Sequence, residues 1–305
     1  MPLRPHGISA PPTAPDDPRL GRWLAGADRL APGTRVALVG FPSDAGVARN
    51  GGRPGAADGP AALRAALYRK TPDARLGGAF EALLDATVDL GDVPVTGDLA
   101  RDQAALGEAV GAVLDAGAIP VVLGGGHETA YGHALAYLAA GRPFEILNWD
   151  AHADVRERID GLGHSGSPFR EAAEHPSGAL RRYTVAGLHP WRVAASHAAF
   201  AAGLGRVVWR DDLTPGAVDA IAAGLTAPAM VTFDLDAVDG AAGVSAPGVG
   251  GMPVDLWLRA AEACGRSAAT SFDVVELSPP HDADGRSATL AALTVWHLLR
   301  GIATR

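Results

Sequence analysis

The chain has 305 residues, 48% of them hydrophobic and 20% charged, with a formal net charge of −8. That composition is ordinary for a soluble globular protein, and 26 basic against 34 acidic residues leave no positive excess for a nucleic-acid footprint. No apolar run approaches the roughly 20 residues of a membrane-spanning helix, and the single cysteine, Cys264, excludes an internal disulfide and a thiolate-rich metal site.

Residues 1–30 read as a Pro-rich arm or short irregular segment, ahead of a single domain over 31–305. Six prolines between Met1 and Pro18, with no apolar core for a signal peptide, point to the cytoplasm. Val36–Gly40 reads as a buried strand, followed by a Gly-rich loop and a helix over about Gly59–Arg69. A short strand at Thr87–Leu90 and a helix over Asp98–Ala116 come next. Ile119–Leu123 is a strand, His127–Ala140 a helix and Phe144–Trp149 a strand. Further strands fall at Tyr183–Gly187, Arg206–Trp209, Ala229–Phe233 and Thr270–Val275, and a helix over Thr289–Ile302 ends the chain. Alternating strands and helices, with strands apolar throughout, predict an α/β fold with a mainly parallel sheet of about eight strands covered on both faces. Sheets of this kind bind ligands at the carboxyl ends of their strands.

Three of those ends carry acidic or imidazole side chains. Asn148-Trp-Asp150-Ala-His152-Ala-Asp154 follows Phe144–Leu147, and alternation in an extended segment would put Asp150, His152 and Asp154 on one side. Thr232-Phe-Asp234-Leu-Asp236 repeats the device. Gly124-Gly-Gly-His127-Glu128 puts a histidine where a strand turns into a helix. Singly, each has an ordinary explanation: an aspartate after a strand caps a helix or a turn, and a loop histidine hydrogen-bonds its surroundings. The triple glycine lacks both the Lys-Ser/Thr of a P-loop and GxGxxG spacing. Together, four carboxylates and two histidines at strand ends are costly to bury without a cation. Oxygen-rich donors with some nitrogen and no sulfur suit hard divalent ions such as Mn²⁺, and a two-metal centre activates water for hydrolysis.

These segments resemble the signatures of the ureohydrolase superfamily of arginases, agmatinases and formimidoylglutamases. Gly124–Glu128, Asp150–Asp154 and Asp234–Asp236 match its three motifs in order, and the resemblance spans Val36 to about Leu299. It implies a three-layer α/β/α sandwich and a small-molecule substrate. It also implies two Mn²⁺ per chain held by His127, Asp150, His152, Asp154, Asp234 and Asp236. A hydroxide bridging the ions attacks the guanidino or formimidoyl carbon in that family. Asp273-Val-Val-Glu276 is a further match, in which Glu276 pairs with the amidine-type cation. Family members are often trimers or hexamers, so a homo-oligomer is expected.

Two segments favour the formimidoylglutamases. Asp44–Pro60, with Arg49-Asn50-Gly-Gly-Arg53, resembles that subfamily's early Gly-rich loop, although agmatinases share Arg-Pro-Gly and Gly-Pro here. In Gly163-His164-Ser165-Gly-Ser-Pro168, a serine stands where arginases and agmatinases carry a proton-relaying histidine. That leaves His164, one residue earlier, as the candidate relay. A dicarboxylate such as N-formimidoyl-L-glutamate also calls for a cationic rim, for which Arg49, Asn50, Arg53 and Arg170 are the candidates. Hydrolysis of that compound, a step of histidine degradation, is the leading expectation. An agmatinase-like or other guanidino-acid amidinohydrolase, and a non-catalytic metal-binding protein of the same fold, are the alternatives.

Overall fold

Eight apolar segments lie side by side as one parallel sheet: β1 (Val36–Phe41), β2 (Thr87–Asp92), β3 (Ile119–Gly124), β4 (Phe144–Trp149), β5 (Leu180–Leu188), β6 (Gly205–Trp209), β7 (Ala229–Asp234) and β8 (Ser271–Val275). The order across the sheet is β2-β1-β3-β8-β7-β4-β5-β6. This computed structural model describes residues 3–14, 16–26 and 29–305; Met1, Pro2 and Pro15 of the Pro-rich segment, with Ala27 and Asp28, lie outside the described residues. The helices are α1 (Gly21–Leu24), α2 (Ala45–Arg49), α3 (Gly59–Leu67), α4 (Ala79–Asp85), α5 (Leu99–Asp115), α6 (Thr129–Leu138), α7 (Pro168–Ala173), α8 (Ala195–Leu204), α9 (Pro215–Ala223), α10 (Val254–Arg266) and α11 (Arg286–Ala303).

Successive strand residues face opposite sides of a sheet, and here each side meets its own helical layer. Val36 and Leu38 of β1 join a core with residues of α3, α4, α9, α10 and α11. Ala37, Val39 and Phe41 join a second core with residues of α5, α6 and α7. Burial on both sides explains why the strands are apolar without alternation, and the result is the expected α/β/α sandwich. Behind β4 and β7, Trp149, Phe233 and Trp257 pack as a rigid block, with Phe233 edge-on to Trp257 at 5.3 Å between ring centres. Both indole N–H groups find partners there, Trp257 on Thr294 Oγ1 at 2.8 Å and Trp149 on Cys264 Sγ at 3.4 Å.

The Pro-rich segment is tied to the domain more closely than an extended arm. Arg4 bridges Asp92 through two backbone hydrogen bonds of 2.8 Å, covering the edge strand β2. Leu20 and Leu24 are fully buried in the first core.

Because every strand runs the same way, all carboxyl ends share one edge. β3, β8, β7, β4 and β5 are consecutive in the sheet, so the segments that leave them converge on one place.

Candidate metal centre

His127 leaves β3 through Gly124–Gly126. The Gly125 and Gly126 amides donate to the carbonyls of Phe41 and Ser43, each at 2.9 Å, so they knit this loop to the end of β1 and are not offered to a phosphate. A Cβ on Gly125 would stand 1.8 Å from the Ser43 carbonyl oxygen, and only glycine fits. Helix α6 starts at Thr129, which leaves His127 in the turn before it.

The aspartates reach the same place by turns instead of strand alternation. β4 ends at Trp149, and beyond it Asp154 adopts the left-handed backbone conformation, φ +46°. Asp150 Oδ1 folds the loop by accepting the His152 amide at 2.6 Å. Asp234 closes β7, and Asp236 sits in the 3-10 turn Leu235–Ala237, its amide donating to Asp234 Oδ1 at 2.9 Å. Each turn presents two acids to one side by spending a carboxylate oxygen on the backbone.

The six side chains form two donor groups that share Asp150. One is His127, Asp150, Asp154 and Asp234; the other is Asp150, His152 and Asp236; within each group the donor atoms lie within 4.8 Å of one another. His127 Nδ1 is 2.9 Å from Asp154, 3.0 Å from Asp234 and 3.3 Å from Asp150. His152 Nδ1 is 3.0 Å from Asp236. On its other side His127 Nε2 meets Thr232 Oγ1 at 3.0 Å, a hydroxyl that can accept the Nε2 proton when Nδ1 is given to a cation. Asn148 Nδ2 steadies Asp150 Oδ2 at 2.9 Å.

The donor set fits divalent cations. Among the described residues no Arg or Lys pairs with these carboxylates. Burial, then Asp236 and Asp150, push the Asp234 carboxyl well above its ordinary range. Burial alone would lower the His127 imidazole, yet its three aspartates hold it well above its ordinary value. Despite those short approaches, His127 Nδ1 makes no hydrogen bond, and neither does the buried Asp236 Oδ1. Such atoms are costly in a protein interior and are satisfied by a cation among them. Carboxylate and imidazole donors without sulfur favour Mn²⁺ or a similar ion over structural zinc.

Glu276 stands directly after β8 with φ +72°. Its Oε1 accepts the His127 amide at 2.5 Å while Oε2 is buried without a partner. Burial raises its carboxyl to about 7, opposed by the Ser245 hydroxyl beside it and aided by the charge of Asp236. Glu128, the acid of the Gly-rich motif, accepts the Gly46 amide at 2.7 Å, which pins α2 to the His127 turn. Its carboxyl is pushed up to about 8 by burial and by Glu276.

A cavity of about 70 Å³ opens over His152, Asp154, Asp234, Asp236 and Glu276, with Val47, Asn50, Gly52, Arg156, Ser165, Ser245 and Ala246 around it. Asn50 stands where expected and donates to Ser165 Oγ at 3.1 Å. The other expected contacts differ. His164 is buried behind the cavity wall, with Nε2 on the Glu157 carbonyl at 2.9 Å and Nδ1 accepting the Gly166 amide at 3.1 Å, so neither ring nitrogen is left for proton transfer. Arg49 holds the Gly163 carbonyl. Arg53 holds the carbonyls of Val244 at 2.5 Å and Ala242 at 2.9 Å. Arg170 binds the Val155 carbonyl at 2.8 Å and lies over the Phe200 ring at 4.1 Å. These three guanidinium groups brace loops and do not line the cavity. The arginine that does is Arg156, missed in the sequence although it lies only two residues beyond Asp154.

Residues 34–300 match the arginase family. Among curated relatives, the formimidoylglutamase of Nocardia farcinica is 39% identical over 304 residues, covering 93% of this chain and 92% of the relative. That of Rhodococcus jostii is 38% identical over 294 residues, covering 89% and 87%. Among solved structures, Trypanosoma cruzi formiminoglutamase with Mn²⁺ superimposes with a TM-score of 0.85 at 32% identity, covering 95% of this chain and all of that one. Fold, motifs and relatives agree over nearly the whole length, and the chain belongs to the arginase family.

Proposed function

We propose that this chain is a binuclear manganese hydrolase that converts N-formimidoyl-L-glutamate and water to L-glutamate and formamide. The observation that carries the proposal is the pair of donor groups sharing Asp150, set beside a buried glutamate with one unpartnered oxygen. His127, Asp150, Asp154 and Asp234 would hold one ion, and Asp150, His152 and Asp236 the other. When bound, two such cations supply Lewis acidity and make water acidic enough to ionise near neutral pH.

The chain's own residues do the rest. Glu276 Oε2 receives an N–H of the amidine head, and the cationic head in turn keeps this carboxyl ionised although burial raises it to about 7. The His127 amide on Oε1 fixes the direction in which Oε2 points. Asn50 and Ser165, joined at 3.1 Å, form one side of the entrance, and Arg156 supplies positive charge there for a carboxylate. A cationic tail such as that of agmatine meets repulsion at this rim.

The proposal extends to a place in histidine degradation, to a cytoplasmic location and to a homo-oligomer. The subfamily resemblance supports the first and third. No helix among the described residues is long and apolar enough to cross a membrane, which is compatible with the second. The test is manganese-loaded enzyme offered formimidoylglutamate, agmatine, arginine and guanidinobutyrate side by side. Release of formamide from the first at a kcat/KM far above the others is expected; preference for a guanidino compound overturns the substrate assignment.

A further inference from the structure

β5 lies next to β4 in the sheet, so its carboxyl end joins the same edge as the metal-binding segments. His189 and Arg192 follow it, and the donor groups described above use neither. His189 is 1% exposed, and both its ring nitrogens are buried without a hydrogen-bond partner. Its backbone amide is tied to the Ala151 carbonyl at 3.0 Å, within the loop that carries Asp150 and His152. Arg192 donates through Nη2 to the carbonyl of Ala246 at 2.7 Å, and Ala246 lines the cavity over the metal centre. Arg192 Nη1 is buried and donates to nothing. The backbone makes room for it: a Cβ on Gly248 would lie 2.6 Å from Nη1. Among the described residues, no carboxylate forms an ion pair with this guanidinium.

A buried cationic N–H group without an acceptor is unfavourable unless a ligand supplies one. Here Arg192 stands behind one wall residue of the cavity, and His189, whose carbonyl accepts the Arg192 amide at 3.1 Å, shares the deficit. Arg192 can only donate and His189 can donate from one ring nitrogen, so the partner the guanidinium lacks is an acceptor, and the matching one is an anion of planar, carboxylate geometry.

We propose that Arg192, assisted by His189, forms the subsite for a carboxylate of the substrate, reached through the cavity wall at Ala246. The inference rests on the dicarboxylate reading given above and deepens it. Glu276 takes the amidine end and Arg192 an acid end, and a substrate is selected by carrying both. Arg156 at the entrance serves the second carboxylate.

The experiment compares manganese-loaded parent enzyme with Arg192→Ala, Arg192→Lys, His189→Gln and, as a surface control, Arg286→Ala. Two quantities are read: the dissociation constant of glutarate, a dicarboxylate without an amidine, by calorimetry, and the ratio of kcat/KM for formimidoylglutamate to that for an N-alkylformamidine. Losing a charge-assisted contact predicts that Arg192→Ala weakens glutarate and lowers the ratio by roughly tenfold to a hundredfold, mainly through KM. Arg192→Lys recovers part of the loss, because a point charge replaces the planar fork. His189→Gln, which can still donate and accept, shows a smaller loss. Arg286→Ala behaves as the parent. Folded, manganese-loaded Arg192→Ala with unchanged glutarate affinity and an unchanged ratio overturns the subsite. A parent enzyme without turnover of formimidoylglutamate overturns the functional reading instead, and glutarate binding to Arg192→Ala then decides the subsite by itself.

Discussion

Replacing Thr232 by valine removes one hydroxyl group and keeps the side chain's shape. That hydroxyl is the partner of His127 Nε2 at 3.0 Å, inside a fully buried stretch of β7. While a cation occupies Nδ1, the ring's only proton is on Nε2, and in the variant that N–H has nothing to donate to. The cost of an unsatisfied buried donor is about 1–3 kcal/mol. Without the cation the penalty is smaller, because Nδ1 is then protonated toward three carboxylates within 3.3 Å and the ring can release the proton on Nε2. The difference therefore falls on metal binding, and at a factor of ten per 1.4 kcal/mol it corresponds to about fivefold to a hundredfold weaker affinity. Titration of manganese against a competing chelator measures it, with thermal unfolding of the metal-free protein run alongside. Unchanged manganese affinity in Thr232→Val would refute the orientation assigned to His127. A loss of stability in the metal-free protein with no loss of affinity would do the same.

Other side chains are predicted from their placement. Asp150→Ala removes a donor common to both groups and should leave fewer than one ion per chain by elemental analysis, whereas Asp236→Ala should retain one ion in the group built on His127. His164→Ala should keep the parent's pH–rate profile, since both ring nitrogens are spent on the loop; its cost is about 1–3 kcal/mol of stability, read as a lower melting temperature. Asp73 is held below the ordinary carboxylate range by Arg75 and Arg300, against a smaller opposing effect of burial. Its stabilising contribution is thus complete above the unfolded value near pH 4 and is lost as pH falls toward the depressed folded one. Asp73→Asn should cost about 1–3 kcal/mol at pH 7 in chemical denaturation, with the gap to the parent closing in acid.

The sheet was legible because burial on both faces leaves a plain mark, short apolar runs separated by helical patterns, and each expected strand is present. The metal-binding residues were legible as a set because Asp-x-His-x-Asp and Asp-x-Asp each follow such a run. How they converge was not. Alternation in a strand would have placed Asp150, His152 and Asp154 on one side, but Asp154 gets there through a left-handed residue and Asp236 through a 3-10 turn, and neither leaves a periodicity to read. The arginines misled for a related reason. A guanidinium near a strand end serves a substrate or a backbone carbonyl equally well, and only the fold shows that Arg49, Arg53 and Arg170 are taken by carbonyls. Arg156 could have been found by extending the Asp-x-His-x-Asp spacing one further step. Arg192 and His189 carry no motif at all, and they stand out because their nitrogens are buried without partners.

Anomalous scattering at the manganese absorption edge, from crystals grown with manganese, tests the binuclear centre most directly. Two peaks are expected in each chain, one ringed by His127, Asp150, Asp154 and Asp234, the other by Asp150, His152 and Asp236, with Asp150 touching both. A single peak, or peaks away from these side chains, would contradict it.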